Sequence, residues 1–362
     1  MRVLIAGGGT AGHVNPALAL GRALEGAEVV FVGTERGSEA KLVPAAGLPL
    51  ENIIVRGFDR AKPWSIFAVA VTALKAVAQA RAILRRFQPD VVVGMGGYVA
   101  LPVCAAARLA RVPIVIHEQN IVFGLTNRLC KRVAKRVAVS FEESLAEAGP
   151  GGVNTGNPVL PEIAAMDRDL ERKNAVAHFS LDPARSTLLV FGGSQGAKRI
   201  NDAVPGLVSL WAERSDRQIL HITGSAQDRV VAMDDQARGT LIYKRVDFVA
   251  RMQEPYAVAD LALCRGGATT VAELGAVGLP ALIVPYPYHR DKQQERHGLA
   301  LQKAGAARLI EDAETTPERV AAEVDDLFDT EGRLDDMKSA ARSFGRPDAA
   351  QALARVVREV AP

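Results

Sequence analysis

The sequence predicts an α/β protein made of two Rossmann-like, doubly wound domains that face a cleft. Three observations support this fold class. Short β-branched runs alternate with alanine-rich helical stretches through both halves, which is typical of parallel sheets covered by helices on both faces. Glycine-rich segments follow several of these runs and open helices. The length of 362 residues is about twice that of a typical domain.

The predicted elements follow in chain order. In the first half, apolar runs predict strands at residues 3–6, 29–32, 91–94, 114–116 and 137–139, with helical stretches at 16–24, 64–87 and 102–110. In the second half, strands are expected at 187–191, 218–222, 261–263 and 281–284. Turn formers between 149 and 158 mark the expected boundary. We therefore expect an N-terminal domain over residues 1–157 and a C-terminal domain over 158–344, with a last helix at about 345–362 packing back on the first domain.

Composition excludes several classes of protein. The net charge of +3 and the aromatic content of 5% argue against a nucleic-acid-binding protein. The spacing of Cys104, Cys130 and Cys264 fits neither a metal site nor a redox pair, which favours a reducing cytoplasm. We expect no signal peptide, and the longest apolar run, residues 64–74, is about half of what a membrane span needs.

The first glycine-rich segment has the pattern G-x-G-x-x-G at Gly7, Gly9 and Gly12 and is followed by His13. Backbone N–H groups at such a strand-to-helix turn can receive a phosphate. The same glycines can also serve only a tight turn and close packing. Dinucleotide binding is a further alternative, because Glu35 stands near the place where an acidic residue would hold a ribose.

Two further loops of this kind lie in the second half. The loop 192–197 brings Ser194 and Gln195 as side-chain donors, and the loop 265–270 is followed by Glu273 in a predicted helix. Glu273 can accept hydrogen bonds from the hydroxyls of a ribose, or it can simply complement the helix dipole. Gln293 and Gln294 can reach sugar hydroxyls, with polar helix-start residues as the alternative.

Other polar segments follow strands of the first domain. Gly96, Gly97 and Tyr98 follow one strand, and residues 117–120 follow the next; both should face the cleft. His117 is expected to be a core histidine with local hydrogen bonds. No spacing typical of a metal site is present, so we expect neither a metal nor a cofactor.

Taken together and in this order, the motifs resemble the bacterial glycosyltransferases that add N-acetylglucosamine to lipid I and so make lipid II of peptidoglycan. The resemblance covers nearly the whole chain. It rests on the motifs at residues 7–13, 96–98, 117–120, 124–127, 156–159, 192–197, 268–273, 278–280 and 293–294. It implies the two-domain architecture called GT-B, with the donor UDP-N-acetylglucosamine in the second domain and the lipid acceptor in the first.

The resemblance also implies roles for individual residues. The backbone near Val249 reads the uracil, Glu273 holds the ribose, and the other donor-binding residues are Thr10, Ala11, Gly12, Asn120, Ser194, Gln195, Ala268, Thr269, Thr270, Gln293 and Gln294. The expected acceptor-binding residues are Gly9, Gly96, Gly97, Tyr98 and Asn127.

The implied reaction is an inverting transfer to the 4-hydroxyl of N-acetylmuramic acid. It needs a base, and His13 is the candidate because imidazole titrates near neutral pH. The competing role for His13 is a donor that stabilises a phosphate or the developing charge.

The chain departs from the family pattern at several positions. Ala11 replaces a glycine, Ala100 and Leu101 replace a Ser-Gly pair, and His297 with Gly298 replaces Asn-Ala. Leu160 stands where many members carry an arginine that meets phosphate, so that contact is not carried over to this chain.

The stretch from Arg56 to Phe87 combines apolar and basic residues. It predicts either peripheral contact with an anionic membrane or an ordinary core helix with a basic edge. The apolar members are Trp64, Ile66, Phe67, Val69 and Leu74, and the basic members are Arg60, Lys62, Lys75, Arg81, Arg85 and Arg86. Residues Lys131, Arg132, Lys135 and Arg136 could extend the basic surface. A lipid-linked acceptor favours location at the cytoplasmic face of the membrane, where cell-wall synthesis proteins are possible partners.

Three other functions remain open from the sequence. They are a UDP-N-acetylglucosamine 2-epimerase of the same architecture, a nicotinamide-dependent oxidoreductase built on the first loop, and a non-catalytic nucleotide-sugar binding protein.

Overall fold

The computed structural model describes residues 1–55, 65–224 and 239–362. This part of the chain forms two compact units. The first consists of Met1–Leu160 and Asp348–Pro362, and the second of Pro161–Pro347. Each unit contains a parallel sheet with helices packed against it, which confirms the predicted fold class.

The first unit is built on a sheet in the order β3-β2-β1-β4-β5-β6-β7 over the described residues, with parallel pairing throughout. Its inner strands are apolar on both faces, since helices cover both sides; residues 3–6 of β1 are fully buried. The strands are β1 (Arg2–Ala6), β2 (Glu28–Gly33), β3 (Leu50–Asn52), β4 (Val91–Gly94), β5 (Ile114–Glu118), β6 (Arg136–Val139) and β7 (Gly152–Asn154).

Helices cover both faces of this sheet. One face packs against α3 and α4 around Ala80, Val103 and Ile116, and the other against α1 and the last helix around Leu20 and Leu353. The helices are α1 (Ala11–Ala23), α2 (Glu39–Ala45), α3 (Ser65–Phe87), α4 (Gly97–Ala110), α5 (Leu125–Cys130) and α6 (Leu145–Ala148). The last helix, α15 (Ala349–Val360), buries Leu353 and Val357 and belongs to the first unit.

The second unit has a sheet in the order β10-β9-β8-β11-β12-β13 over its described residues, again parallel. The strands are β8 (Ser186–Phe191), β9 (Arg217–Ile222), β10 (Ile242–Val246), β11 (Leu261–Cys264), β12 (Ala281–Ile283) and β13 (Ala307–Leu309). The helices are α7 (Pro161–Ala164), α8 (Arg168–Phe179), α9 (Lys198–Leu210), α10 (Gln253–Val258), α11 (Ala268–Val277), α12 (Gln293–Lys303), α13 (Pro317–Asp329) and α14 (Arg333–Phe344).

The strand order explains where the glycine-rich loops lie. In each sheet the strands are added first toward one edge and then toward the other. The order reverses between two neighbouring central strands, which are β1 and β4 in the first unit and β8 and β11 in the second. The loops that leave such a pair diverge and open a crevice at the carboxyl ends of the strands. Each unit therefore has glycine-rich loops on both sides of its crevice, after β1 and β4 and after β8 and β11.

Two helices begin earlier than the sequence predicts. The predicted alanine-rich stretches started at Pro16 and Pro102. In the structure α1 begins at Ala11 and α4 at Gly97, so each proline is the sixth residue of its helix. These two predicted boundaries are wrong, because the glycine loops start both helices directly at the strand ends.

Part of the proposed membrane surface lies outside the described residues. This applies to the stretch 56–64, with Arg60, Lys62 and Trp64, and to the side chains of Ile66, Phe67 and Val69. The described remainder of α3 has a buried stripe, including Ala76 and Ala80, and an exposed side with Leu74 and Lys75. Within the described ranges, no helix is both long enough and apolar enough to cross a bilayer.

Candidate active site

The first glycine loop turns the chain from β1 into α1. Gly9 has φ +103°, a conformation that favours glycine, and Thr10 precedes the helix in an extended conformation. The N–H of His13 donates to the carbonyl of Thr10, and the Thr10 hydroxyl lies 3.3 Å from His13 Nδ1. The His13 ring is thus held in the first turn of α1, next to the loop.

The loop after β4 packs directly against the first loop. Gly96 and Gly97 both have positive φ, +89° and +72°. A Cβ atom built on Gly97 would lie 2.5 Å from the carbonyl oxygen of Gly8, so only glycine allows this approach. A Cβ atom on Gly96 would lie 3.1 Å from His13 Cδ2 and 3.6 Å from Asn127 Nδ2.

The structure therefore brings together four of the residues predicted from the sequence: Thr10, His13, Gly96 and Asn127. Tyr98, the second residue of α4, is 63% exposed. Its ring is open to solvent beside this group.

The carboxylate of Glu118 organises the other side of the same crevice. It accepts hydrogen bonds from the backbone N–H of Asn120 (3.0 Å) and Gly124 (3.0 Å), and from the side-chain amides of Asn120 (3.1 Å) and Asn127 (3.0 Å). Burial raises the pKa of Glu118, and these four hydrogen bonds oppose the rise. Asn120 and Asn127 are thus oriented through one buried carboxyl group.

The two histidines of this region have different environments. His117 is fully buried, its Nε2 lies 3.0 Å from the carbonyl oxygen of Gly156, and burial lowers its pKa to about 4. It is the locally bonded core histidine that the sequence suggested. His13 is half-buried, and burial lowers its pKa below the usual 6.5. At neutral pH the His13 ring is therefore uncharged and can accept a proton.

Glu39 was missed by the sequence analysis, which had considered Glu35. Glu35 is exposed, whereas Glu39 is buried and accepts the N–H of Gly9 at 2.9 Å. A dinucleotide-binding loop of this type would instead direct its N–H groups toward a pyrophosphate. The signal that could have shown this is the pair of glycines, Gly33 and Gly37, that leaves room for the Glu39 side chain.

In the second unit, the loop after β8 presents Ser194 and Gln195 on its exposed side. Gly193 and Gly196 have φ +85° and +74°, and a Cβ atom on Gly196 would lie 2.2 Å from the carbonyl oxygen of Thr223. The loop is therefore anchored against the end of β9 while its two polar residues point outward.

The loop after β11 leads into α11, whose first residues are Ala268, Thr269 and Thr270. Because the first N–H groups of a helix have no partner within it, this end can accept an anion. Glu273 follows one turn later, is only 7% exposed, and accepts a hydrogen bond from the hydroxyl of Tyr256 at 2.8 Å. Burial raises the pKa of Glu273 to about 7, against the effect of this hydrogen bond.

The two glutamines open α12, next to the loop after β11. The side-chain oxygen of Gln294 accepts the N–H of Tyr286 at 2.9 Å, and Gln293 donates to Asp291 at 3.2 Å. A Cβ atom on Gly266 would lie 2.4 Å from the carbonyl oxygen of Gln294. The start of α12 therefore lies against the loop that leads into α11.

The departures from the family pattern find local explanations at two positions. His297 is buried, its Nδ1 lies 3.0 Å from the carbonyl oxygen of Gly266, and burial lowers its pKa to about 4. It ties α12 to the loop after β11. Leu160 is partly buried and packs against the apolar cluster of the first unit that includes Leu353.

Val249 lies in the loop before α10, the helix that contacts α11 through Tyr256 and Glu273. It lines a cavity of about 420 Å³ together with Phe248, Arg251 and Lys244, among others. The loop leads into α10, which carries Tyr256, the hydrogen-bond partner of Glu273. Among the residues described by the structure, no cluster of three or more His, Cys, Asp or Glu side chains could hold a metal ion.

Comparisons with known proteins agree with this arrangement. Residues 3–139 match the glycosyltransferase family 28 N-terminal domain, and residues 187–353 match the glycosyltransferase family 28 C-terminal domain. A protein of Listeria monocytogenes named UDP-N-acetylglucosamine–N-acetylmuramyl-(pentapeptide) pyrophosphoryl-undecaprenol N-acetylglucosamine transferase is 40% identical over 364 residues, covering 99% of each chain.

Solved structures show the same relationship. The crystal structure of Acinetobacter baumannii MurG is 30% identical, with a TM-score of 0.78 and 99% of each chain covered. A UDP-GlcNAc 2-epimerase from Neisseria meningitidis shares the fold at 14% identity, with a TM-score of 0.72, 99% of this chain and 100% of that chain. The chain belongs to glycosyltransferase family 28 and, within it, to the family of the UDP-N-acetylglucosamine–N-acetylmuramyl-(pentapeptide) pyrophosphoryl-undecaprenol N-acetylglucosamine transferases.

Proposed function

We propose that the chain transfers N-acetylglucosamine from UDP-N-acetylglucosamine to the 4-hydroxyl of the N-acetylmuramic acid of lipid I, with inversion, to form lipid II. The activity and the two substrates follow from the family to which the chain belongs. The observation that carries the proposed mechanism is the position of the His13 ring, which lies against Gly96 at the crevice of the first unit, where the side-chain amide of Asn127 also approaches Gly96.

The first unit is proposed to bind the acceptor. Gly96, Gly97, Tyr98 and Asn127 line the crevice around His13, and the glycines let a sugar approach the backbone closely. Gly9 contributes through its lack of a side chain, because its N–H is already donated to Glu39. We expect Thr10, Ala11, Gly12 and Asn120 to lie beside the transferred sugar, as the family resemblance implies.

The second unit is proposed to bind the donor. The ribose hydroxyls of UDP donate to Glu273, and the backbone of Val249 contacts the uracil. Binding of the ribose would stabilise the charged form of a carboxyl group whose pKa burial has raised. The diphosphate lies at the start of α11, near Ala268 and Thr270, and within reach of Ser194 and Gln195; Thr269, Gln293 and Gln294 complete the site around phosphate and sugar.

The proposed chemistry balances one proton and one leaving group. The acceptor hydroxyl attacks the anomeric carbon, the bond from that carbon to the β-phosphate oxygen breaks, and UDP departs. Nε2 of His13 takes the hydroxyl proton, since Nδ1 faces the Thr10 hydroxyl at 3.3 Å. The negative charge on UDP is stabilised by the helix N-terminus of α11 and by neighbouring hydroxyl and amide donors.

A single assay separates this function from the alternatives. UDP-N-acetylglucosamine is incubated with and without a lipid I analogue in the presence of a nicotinamide dinucleotide, and UDP release, the identity of the sugar nucleotide and the redox state of the nicotinamide are followed. We expect release only with acceptor. Conversion of the donor to its 2-epimer without acceptor would support an epimerase, nicotinamide oxidation or reduction an oxidoreductase, and donor binding without turnover a binding protein; each would contradict the proposal.

The first unit is also proposed to contact the anionic cytoplasmic face of the membrane as a peripheral protein. Leu125, Leu129 and Val133 are 70%, 37% and 37% exposed and are spaced by four residues along α5 and the turn after it, so they lie on one side. The exposed cations Arg128 and Arg132 flank them. An apolar strip with basic neighbours suits an anionic lipid surface.

Replacing Leu125 and Leu129 by glutamate is expected to lower retention on anionic liposomes by at least about tenfold, because two leucines that would enter the lipid surface are lost and two negative charges are added. Sedimentation with liposomes at low salt measures it. The matched control carries glutamates at Leu170 and Leu210, which are exposed leucines of the second unit. Equal retention of both double variants would argue against this surface.

A further inference from the structure

The carboxylate of Glu39 lies underneath the first glycine loop and is bonded on both oxygens. Oε2 accepts the N–H of Gly9 at 2.9 Å, and Oε1 accepts the N–H and the hydroxyl of Thr34 at 2.9 and 2.8 Å. The side chain is 1% exposed. A buried carboxylate is tolerated only when hydrogen bonds replace water, and here three donors do so.

The space around this carboxylate is formed by glycines. Cβ atoms built on Gly8, Gly33 and Gly37 would lie 2.4, 2.5 and 2.0 Å from atoms of the Glu39 side chain. Any side chain at these positions would displace it. The local sequence thus provides a site shaped for one carboxylate, which argues against an accidental contact.

Hydrogen bonds and backbone packing connect Glu39 to the candidate active site. Gly9 is held at both of its polar groups, because Ser38 N–H also donates to the Gly9 carbonyl at 3.2 Å. The neighbouring Gly8 carbonyl is the surface on which Gly97 packs, and Gly96 in turn touches the His13 ring. A shift of Gly8 and Gly9 would therefore move both the Gly96–Gly97 loop and the start of α1.

We propose that Glu39 is a positioning residue for the acceptor side of the reaction. It fixes Gly9 so that His13 and the Gly96–Gly97 loop keep their relative positions, and it removes the Gly9 N–H from anion binding. The Gly9 N–H is then not available to bind a phosphate of either substrate. This inference rests on the proposed transferase function and adds a residue that does not itself touch the substrate.

The test replaces Glu39 by glutamine, which keeps the size of the side chain. Its oxygen can still accept from Thr34, but its NH₂ group would face the Gly9 N–H and cannot accept from it. We expect kcat/KM for the lipid I analogue to fall about tenfold, while the affinity for UDP, measured by calorimetry, stays within twofold of wild type. The NMR signals of the His13 imidazole should also shift.

Thr34→Val is the matched control. It removes one hydrogen bond at the same carboxylate, that of the Thr34 hydroxyl, together with the bond this hydroxyl accepts from Gly37 N–H, but leaves the Gly9 contact in place. If Glu39 has only a structural role, both variants should lower the melting temperature, and acceptor kinetics and the His13 signals should be the same in the two variants. A positioning role predicts that only Glu39→Gln changes the kinetics and those signals.

Wild-type acceptor kinetics in folded Glu39→Gln would overturn the inference while leaving the transferase function intact. An inactive wild type would instead contradict the proposed function.

If Glu39→Gln does not fold, Ser38→Pro provides the second test. Ser38 has φ −59°, which suits proline, and the change removes the N–H that holds the Gly9 carbonyl. It also removes the Ser38 hydroxyl, so Ser38→Ala, which removes the hydroxyl alone, is its control. The same acceptor-specific loss is expected for Ser38→Pro, and unchanged kinetics would overturn the inference.

Discussion

Replacing His13 by alanine is expected to lower kcat by roughly 10²–10⁴-fold, the usual contribution of a general base. The affinity for UDP should stay unchanged, because the proposed nucleotide contacts lie in the second unit. The measurement is steady-state kinetics with a lipid I analogue, together with calorimetry for UDP.

His13→Gln distinguishes the two roles considered for this residue. Glutamine can donate a hydrogen bond to a phosphate but cannot take up a proton near neutral pH. If His13 is the base, both variants lose activity to a similar extent. Substantial recovery in the glutamine variant would show that His13 acts as a hydrogen-bond donor instead, and near-normal turnover of the alanine variant would remove it from the mechanism.

The pH dependence of kcat/KM tests the role of His13 independently. Because burial lowers the pKa of His13 below 6.5, the uncharged form dominates from pH 7 upward. At saturating donor, where the titration of Glu273 does not affect donor binding, kcat/KM for the acceptor should therefore be level above neutrality on this limb and fall only as the pH drops below 6.5. A limb with its midpoint well above 6.5 would contradict the assignment.

Glu273→Gln is expected to weaken UDP binding by about 10–100-fold at pH 8. A hydrogen bond to a charged group contributes ~1.5–3 kcal/mol, and tenfold in affinity corresponds to ~1.4 kcal/mol. The effect should be much smaller at pH 6, where a carboxyl group with a pKa of about 7 is mostly protonated. Calorimetry on both proteins at each pH measures it, and the ratio of the two affinities removes the titration of the UDP phosphates.

The raised pKa of Glu273 also determines how this residue changes the free energy of unfolding with pH. Its pKa is about 7 in the folded protein against 4.5 in the unfolded chain, so folding favours the protonated form. Its contribution to the free energy of unfolding therefore falls as the pH rises from 4.5 through 7. Glutamine cannot titrate, and it can still accept a hydrogen bond from the Tyr256 hydroxyl, so the Glu273→Gln variant should lack this pH dependence.

For the binding prediction, an affinity ratio that is the same at pH 6 and pH 8 would mean that Glu273 does not bind the ribose as a carboxylate.

The strands that the sequence predicted are the inner strands of both sheets. The strands it did not identify are β3, β7, β10 and β13, which are the two edges of each sheet. Inner strands are covered on both faces and read as continuous apolar runs. Edge strands such as β3, Leu50–Asn52, are short and partly polar, so their pattern does not stand out.

The candidate site was predictable to the extent that its residues belong to loops after central strands. Gly96, His13 and Asn127 come together because β1, β4 and β5 are neighbours in the sheet. Glu39 was not predictable in this way. Its contact to Gly9 spans 30 residues and depends on how α2 returns to the first loop, which periodicity does not show. Tyr256 was missed for the same reason, since its partner Glu273 lies on another helix.

The structure of the product tests the central claim most directly. The wild-type protein is incubated with UDP-N-acetylglucosamine and a lipid I analogue, and the product is analysed by mass spectrometry and by NMR of the new glycosidic bond. We expect one UDP per disaccharide, with the added sugar joined in the β configuration to O4 of N-acetylmuramic acid. An α-linked product, attachment at another hydroxyl, or UDP release without a disaccharide would contradict it.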